Sequence, residues 1–81
     1  MSILHDTAQA ASFDGSDIVV AMQSGAEFRI PVSQNVRLAR GTAEQLNNIE
    51  ISPFGLHWPD LDEDLSFRGL AAGDFGQRRH G

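Results

Sequence analysis

The chain has no cysteine, no lysine, one tryptophan and three prolines, and no apolar run approaches the ~18 residues of a membrane span. Without cysteine there is neither a disulfide framework nor a thiolate metal site to stabilise a small domain, and the redox compartment is unmarked. The N-terminus, Met1-Ser2-Ile3-Leu4-His5-Asp6, has neither a cationic start nor an apolar signal core, so the cytoplasm is the expected location. The lack of lysine leaves Arg29, Arg37, Arg40, Arg68, Arg78 and Arg79 as the cations, and the formal net charge is −5. Such a surface repels phosphate backbones, which argues against direct nucleic-acid or membrane binding and favours a basic partner.

At 81 residues the chain is one domain. A domain of this size buries only roughly 60–65% of the surface of its unfolded chain, so its core is thin and packing or a partner must supply the stability. Hydrophobic residues at 41% and charged residues at 21% are ordinary for a globular protein and exclude a disordered or fibrous class.

The pattern along the chain predicts a single α+β domain. Ala8 to Phe13 form a weak first strand entering the turn-forming pair Asp14-Gly15. The run Ile18-Val19-Val20-Ala21-Met22 is apolar on both faces and fits a central strand. After Ser24-Gly25, Phe28, Ile30 and Val32 alternate with Glu27, Arg29 and Pro31 in the period of a half-buried strand. Pro31 has no N–H and belongs at an edge or a strand end. The result is an antiparallel β-meander.

Ser33 is a candidate cap for a helix over 34–40, with Val36 and Ala39 or Ala43 inward and Gly41 ending it in the left-handed conformation. Thr42-Ala43-Glu44-Gln45 is a capping box that starts a second helix with Leu46 and Ile49 facing the sheet. The helices over 33–48 are expected to cover one face of the meander. A further strand pair follows, Ile49-Glu50-Ile51-Ser52 and Leu56-His57-Trp58, which Pro59 stops. Residues 60–64 then read as a tight acidic turn, and Ser66 caps a short C-terminal helix ended by Gly73. The folded core is expected over 8–73, with 74–81 a flexible tail. No internal repeat or interdomain linker is present.

Chemistry concentrates in Phe54-Gly55-Leu56-His57-Trp58-Pro59-Asp60-Leu61-Asp62-Glu63-Asp64-Leu65-Ser66, which holds the tryptophan and the densest run of carboxylates. A calcium loop opening at Asp60 fails, because the glycine position would hold Leu65 and the distal glutamate position Ala71. No metal or other cofactor is expected. His57 oriented by Asp60 or Asp62 is a conceivable general base, but neighbouring strand residues point to opposite faces. A buried Trp58 therefore turns His57 outward, and no serine nucleophile or second histidine has a motif spacing to it. Arg78-Arg79-His80 lacks the interleaved aromatics of a nucleic-acid tail. No catalytic set assembles, and a non-enzymatic protein is expected.

The stretch Gly55-Leu56-His57-Trp58-Pro59-Asp60-Leu61-Asp62-Glu63-Asp64-Leu65-Ser66, followed by Gly69-Leu70 and Gly73, resembles the bacterial domain of unknown function 2442 family. Ser24-Gly25, Ile30-Pro31-Val32, Arg37-Leu38, Thr42-Ala43-Glu44-Gln45 and Glu50-Ile51 fall in that family's order, so the resemblance covers roughly Asp14 to Gly73. Asn35-Val36 stands where Phe-Pro is more typical. The resemblance implies a small α+β domain of bacterial or phage origin. It also implies genetic pairing with small proteins of the domain of unknown function 4160 family in toxin–antitoxin-like arrangements.

Residues and resemblance together predict a protein-interaction module, the antitoxin-like member of a toxin–antitoxin pair. Its partner would be a small basic protein encoded nearby, and a homodimer is also compatible. The expected binding residues are His57, Trp58, Asp60, Asp62, Glu63 and Asp64, and neutralising Asp62, Glu63 and Asp64 together is expected to leave the fold intact. The alternative is a small ligand-binding or enzyme-accessory domain using His57 and Asp60.

Overall fold

The structure, a computed structural model, describes residues 6–76. It is α+β, with two antiparallel three-stranded sheets and short helical segments around one core. The first sheet is the expected meander, β1 (Ala8–Phe13), β2 (Asp17–Met22) and β3 (Glu27–Pro31), with β2 central. Period two decides its burial: Ile18, Val20 and Met22 point into the core, while Asp17, Val19 and Ala21 lie on the outer face.

Pro31 closes β3 at the free edge of this sheet. The Met22 N–H donates to the Ala26 carbonyl at 2.8 Å and the Val32 N–H to Ser16 at 3.3 Å, so even-numbered residues of β3 face the ladder. Glu27, Arg29 and Pro31 therefore turn their nitrogens outward, where a missing N–H costs nothing and charge blunts the edge. At the opposite edge, the Phe13 N–H donates to Asn47 Oδ1 at 2.9 Å.

The β1–β2 turn is fixed by Asp14, whose Oδ1 accepts the N–H groups of Asp17 (2.8 Å) and Ser16 (2.9 Å) while Oδ2 meets Arg29 Nη1 at 2.5 Å. These donors, the Asp17 N–H first, then Ser16 and Arg29, lower its pKa from 3.8 to about 2. A depressed carboxylate contributes stability that is complete above its ordinary pKa and is lost as pH falls toward about 2. In a carboxyl-detected NMR titration Asp14 is expected to titrate near 2, and Arg29→Gln should raise that midpoint only part of the way to 3.8 because the backbone donors remain. A wild-type midpoint at 3.8 would contradict this account of the turn.

The expected helix over 34–40 does not form. Two 3₁₀ turns, Val32–Gln34 and Leu38–Arg40, flank an extended Asn35 (φ −124°, ψ 120°), and no side chain caps the first. Asn35 is fully buried; its Oδ1 accepts the Leu38 N–H at 2.9 Å, and its Nδ2 donates to Glu63 Oε2 at 2.8 Å and to the Phe75 carbonyl at 2.7 Å. Such a side chain competes with helical hydrogen bonding. Leu38 consequently takes the inward position, Val36 is 40% exposed, and Ala39 and Ala43 are exposed. Gly41 is extended (φ −80°, ψ 151°) rather than left-handed.

The capping box forms as expected. Thr42 Oγ1 accepts the Gln45 N–H at 3.2 Å, and the Thr42 N–H donates to Gln45 Oε1 at 3.0 Å, opening α1 (Ala43–Asn47) with Leu46 buried.

The further strand pair proves to be a three-stranded sheet, β4 (Glu50–Ile51), β5 (Gly55–Trp58) and β6 (Glu63–Ser66), in that order. Glu63 and Asp64, expected in the turn, belong to β6, and the turn is confined to 59–62. Ser66 caps α2 (Phe67–Ala71) by accepting the Gly69 N–H at 2.9 Å, and Phe67 and Leu70 are buried.

Beyond α2, the Asp74 N–H donates to the Gly69 carbonyl at 2.8 Å and Phe75 packs on the core, so Asp74 to Gly76 are held where the sequence suggests a tail. A Cβ on Gly76, whose φ is +85°, would stand 2.5 Å from Asn35 Nδ2. The rest of the expected tail, with Arg78, Arg79 and His80, lies outside the described residues. Among the described residues no helix is long and apolar enough to cross a membrane.

Candidate functional site

The second sheet sorts the distinctive motif onto two faces. Gly55, Leu56 and Trp58 are buried, and Trp58 Nε1–H donates to the Leu46 carbonyl at 3.1 Å, which satisfies the indole inside the core. His57, between Leu56 and Trp58, points outward as strand geometry requires.

Register then assembles a row that spacing alone does not reveal. Glu50 of β4 pairs with His57 of β5, which pairs with Asp64 of β6. His57 Nδ1 lies 2.7 Å from Asp64 Oδ1, and Nε2 lies 4.0 Å from Glu50 Oε1. The side chains are 67% exposed at Glu50 and 75% at Asp64, so water screens the row and each pair contributes at most about 1 kcal/mol. The row orients His57 more than it stabilises the fold.

The expected site residues therefore separate. His57 and Asp64 meet. Asp60, the anticipated partner of His57, instead accepts from Asn48 Nδ2 at 2.9 Å. Asp62 is 95% exposed at the end of the turn with φ +51°, a conformation Asp tolerates better than most residues, and Arg37 Nη1 donates to its carbonyl at 2.5 Å. Trp58 and Glu63 have no exposed surface and cannot touch a partner in this fold. Glu63 Oε2 accepts from Asn35 and Oε1 accepts the Asp64 N–H at 3.0 Å. Neutralising Glu63 with Asp62 and Asp64 would disturb a buried network, contrary to the expectation that this triple change spares the fold.

Two residues absent from the sequence-based site join it. Glu50 completes the row, and Phe54, 81% exposed, stands at the β4–β5 turn beside a recess of about 160 Å³ that also meets Ser52, Gly55, His57, Asp64 and Ser66. The alternation of Ile49-Glu50-Ile51 could have turned Glu50 outward, but nothing in the sequence gives its register against His57.

The two hydroxyls lining the recess are bonded to backbone groups. Ser52 Oγ accepts the Phe54 and Gly55 N–H groups at 3.2 Å, and Ser66 Oγ caps α2. A larger cleft of about 330 Å³ opens between Ala8 of β1 and Ile51 of β4. The one carboxylate there, Asp6, accepts from the Thr7 N–H and from the backbone and hydroxyl of Ser24. These bonds hold it below its ordinary pKa, the Ser24 hydroxyl foremost.

The fold has counterparts among solved structures. A protein of unknown function from Rhodospirillum rubrum, solved by crystallography, is 35% identical with a TM-score of 0.79, over 91% of this chain and 94% of that one. An uncharacterized protein from Chromobacterium violaceum, solved by NMR, is 29% identical with a TM-score of 0.76, over 89% of this chain and 70% of that one. No curated protein matches. The family model for a protein of unknown function, DUF2442, matches residues 8–76, nearly the whole described structure, and the chain belongs to that family.

Proposed function

We propose that this protein is a non-enzymatic, cytoplasmic interaction module that binds a small basic protein and restrains it, as the antitoxin-like member of a toxin–antitoxin pair. The observation that supports this reading is the outer surface of the second sheet. Glu50 and Asp64 flank His57, Asp60 extends the negative surface into the adjoining turn, where Asp62 is paired with Arg37 Nη1 at 3.6 Å, and an exposed phenylalanine lies beside the row. Carboxylates of this kind steer an oppositely charged partner, while the apolar group sets how long the complex lasts.

A ligand-binding or enzyme-accessory role through His57 and Asp60 is less well supported, since Asp60 is engaged by Asn48 and His57 by Asp64. The test is co-expression with the small protein encoded beside this one in its native genome. Growth inhibition by that protein alone, relieved by this chain and accompanied by co-purification, is the expected result. A neighbour that is harmless alone and never co-purifies would overturn the proposal.

A further inference from the structure

We propose that the free edge of the first sheet, strand β3, pairs with the same strand of a second copy of this chain, so that two meanders join as one continuous antiparallel sheet about a twofold axis at Phe28. This contact uses a different sheet from the partner face described above. The edge is open by topology: β3 has β2 on one side and no described strand on the other. Glu27 and Arg29 stand opposite Ala21 and Val19 without sharing the close hydrogen-bonded pairs of the ladder, so their backbone N–H and C=O groups face outward. Both side chains lie on the outer face and are about half exposed, and Phe28 between them is half-buried against the core.

Charge selects both the occupant and the register. On an edge strand it discourages an arbitrary partner. Read against itself in the antiparallel sense, however, Glu27-Phe28-Arg29 is its own complement: Glu27 of each copy meets Arg29 of the other, and Phe28 meets Phe28. Outward-facing backbone groups pair only with outward-facing ones, so the new ladder can slip only by two residues at a time. Either slip sets like charges face to face, Glu27 on Glu27 or Arg29 on Arg29, which is destabilising. In the remaining register each Glu27–Arg29 pair exchanges both backbone hydrogen bonds, and the two Phe28 rings become neighbours on the core side. Arg29 need not be released for this. Its Nη1 stays with Asp14 at 2.5 Å, while Nη2 lies 3.7 Å from its own Glu27, beyond hydrogen-bond reach. The backbone supplies the contact and the charges choose its register.

A strand edge this short buries less than the ~1,200 Å² of a stable specific complex, so the pairing is weak, with a Kd of roughly 0.1–1 mM. The test is NMR of the full ¹⁵N-labelled chain, from low micromolar concentration to about 1 mM, in about 0.15 M salt to screen the repulsion between two copies that each carry −5. Diffusion should slow as concentration rises, and the accompanying shifts should centre on residues 26–30. Glu27→Arg should weaken association about tenfold, because both symmetric pairs become like-charged. Since that change also reduces the net negative charge, association without this register would strengthen instead. Arg29→Glu alone should weaken it likewise, and an equimolar mixture of the two variants should associate again, their charges being complementary across the same register. Should Arg29→Glu fail to fold beside Asp14 and Asp17, Glu27→Arg still decides, and the dispersion of its spectrum reports that it is folded. Diffusion unchanged up to about 1 mM, shifts centred on Phe54 or Val36, or wild-type association by folded Glu27→Arg would overturn the assignment.

Discussion

Trp58→Ala is expected to lower stability by about 3–5 kcal/mol, because it removes a fully buried indole and leaves a cavity that a thin core cannot close. A domain of this length has roughly 4–12 kcal/mol in total, so the variant should melt some 15 °C or more below wild type, or fail to fold. Two contributions can be separated. Trp58→Phe keeps much of the apolar volume and loses the bond from Nε1–H to Leu46, leaving that buried carbonyl without its donor, and should fall between wild type and Trp58→Ala. Thermal denaturation followed by far-UV circular dichroism decides the matter. A Trp58→Ala variant melting within a degree or two of wild type would mean that Trp58 is not the centre of the core.

Gly55→Ala is the second large effect, and it arises without removing a single contact. A Cβ on Gly55 would stand 2.2 Å from the Leu65 carbonyl oxygen and 2.9 Å from Ser66 Cα, both backbone atoms of the paired strand β6. Side chains can rotate out of such a contact, whereas a strand can only shift its ladder. The expected cost is about 3 kcal/mol, the upper end for an overpacked site, with a drop of roughly 10 °C or more in melting temperature. Amide exchange should quicken first across β5 and β6, while β1 to β3 keep their protection. Wild-type melting and exchange in this variant would show that β6 does not approach Gly55 so closely.

These two residues also show what the sequence could and could not disclose. The outer–inner division of Leu56-His57-Trp58 follows from period two and needs nothing else, so the burial of Trp58 and the exposure of His57 were legible. The meander and both caps, at Thr42 and Ser66, were legible for the same reason: each depends on residues close together in the chain. Asn35 defeated the first helix through partners 28 and 40 residues away, which local propensity cannot see. Strand β6 was hidden because Glu63, an ionisable residue, occupies an inward position and breaks the alternation that Leu65 would otherwise announce. The His57–Asp64 contact and the place of Glu50 required the strand register. Counting along the chain made Asp60 the nearer candidate.

The two faces of the second sheet differ in composition. Its inner face, with Leu56, Trp58 and Leu65, holds the core together; its outer face carries charge and one aromatic group that the fold itself leaves in solvent. Association with a basic partner should therefore depend on residues whose loss barely affects stability. The most direct test is stopped-flow association with the neighbouring-gene protein across a range of ionic strength, for wild type and for Glu50→Gln/Asp62→Asn/Asp64→Asn, a combination that spares the buried Glu63. The wild-type rate should fall steeply with salt, and the variant should associate about tenfold more slowly at low salt with a flatter dependence. Equal rates for the two proteins, with no dependence on salt, would contradict the claim that this acidic face is where the partner binds.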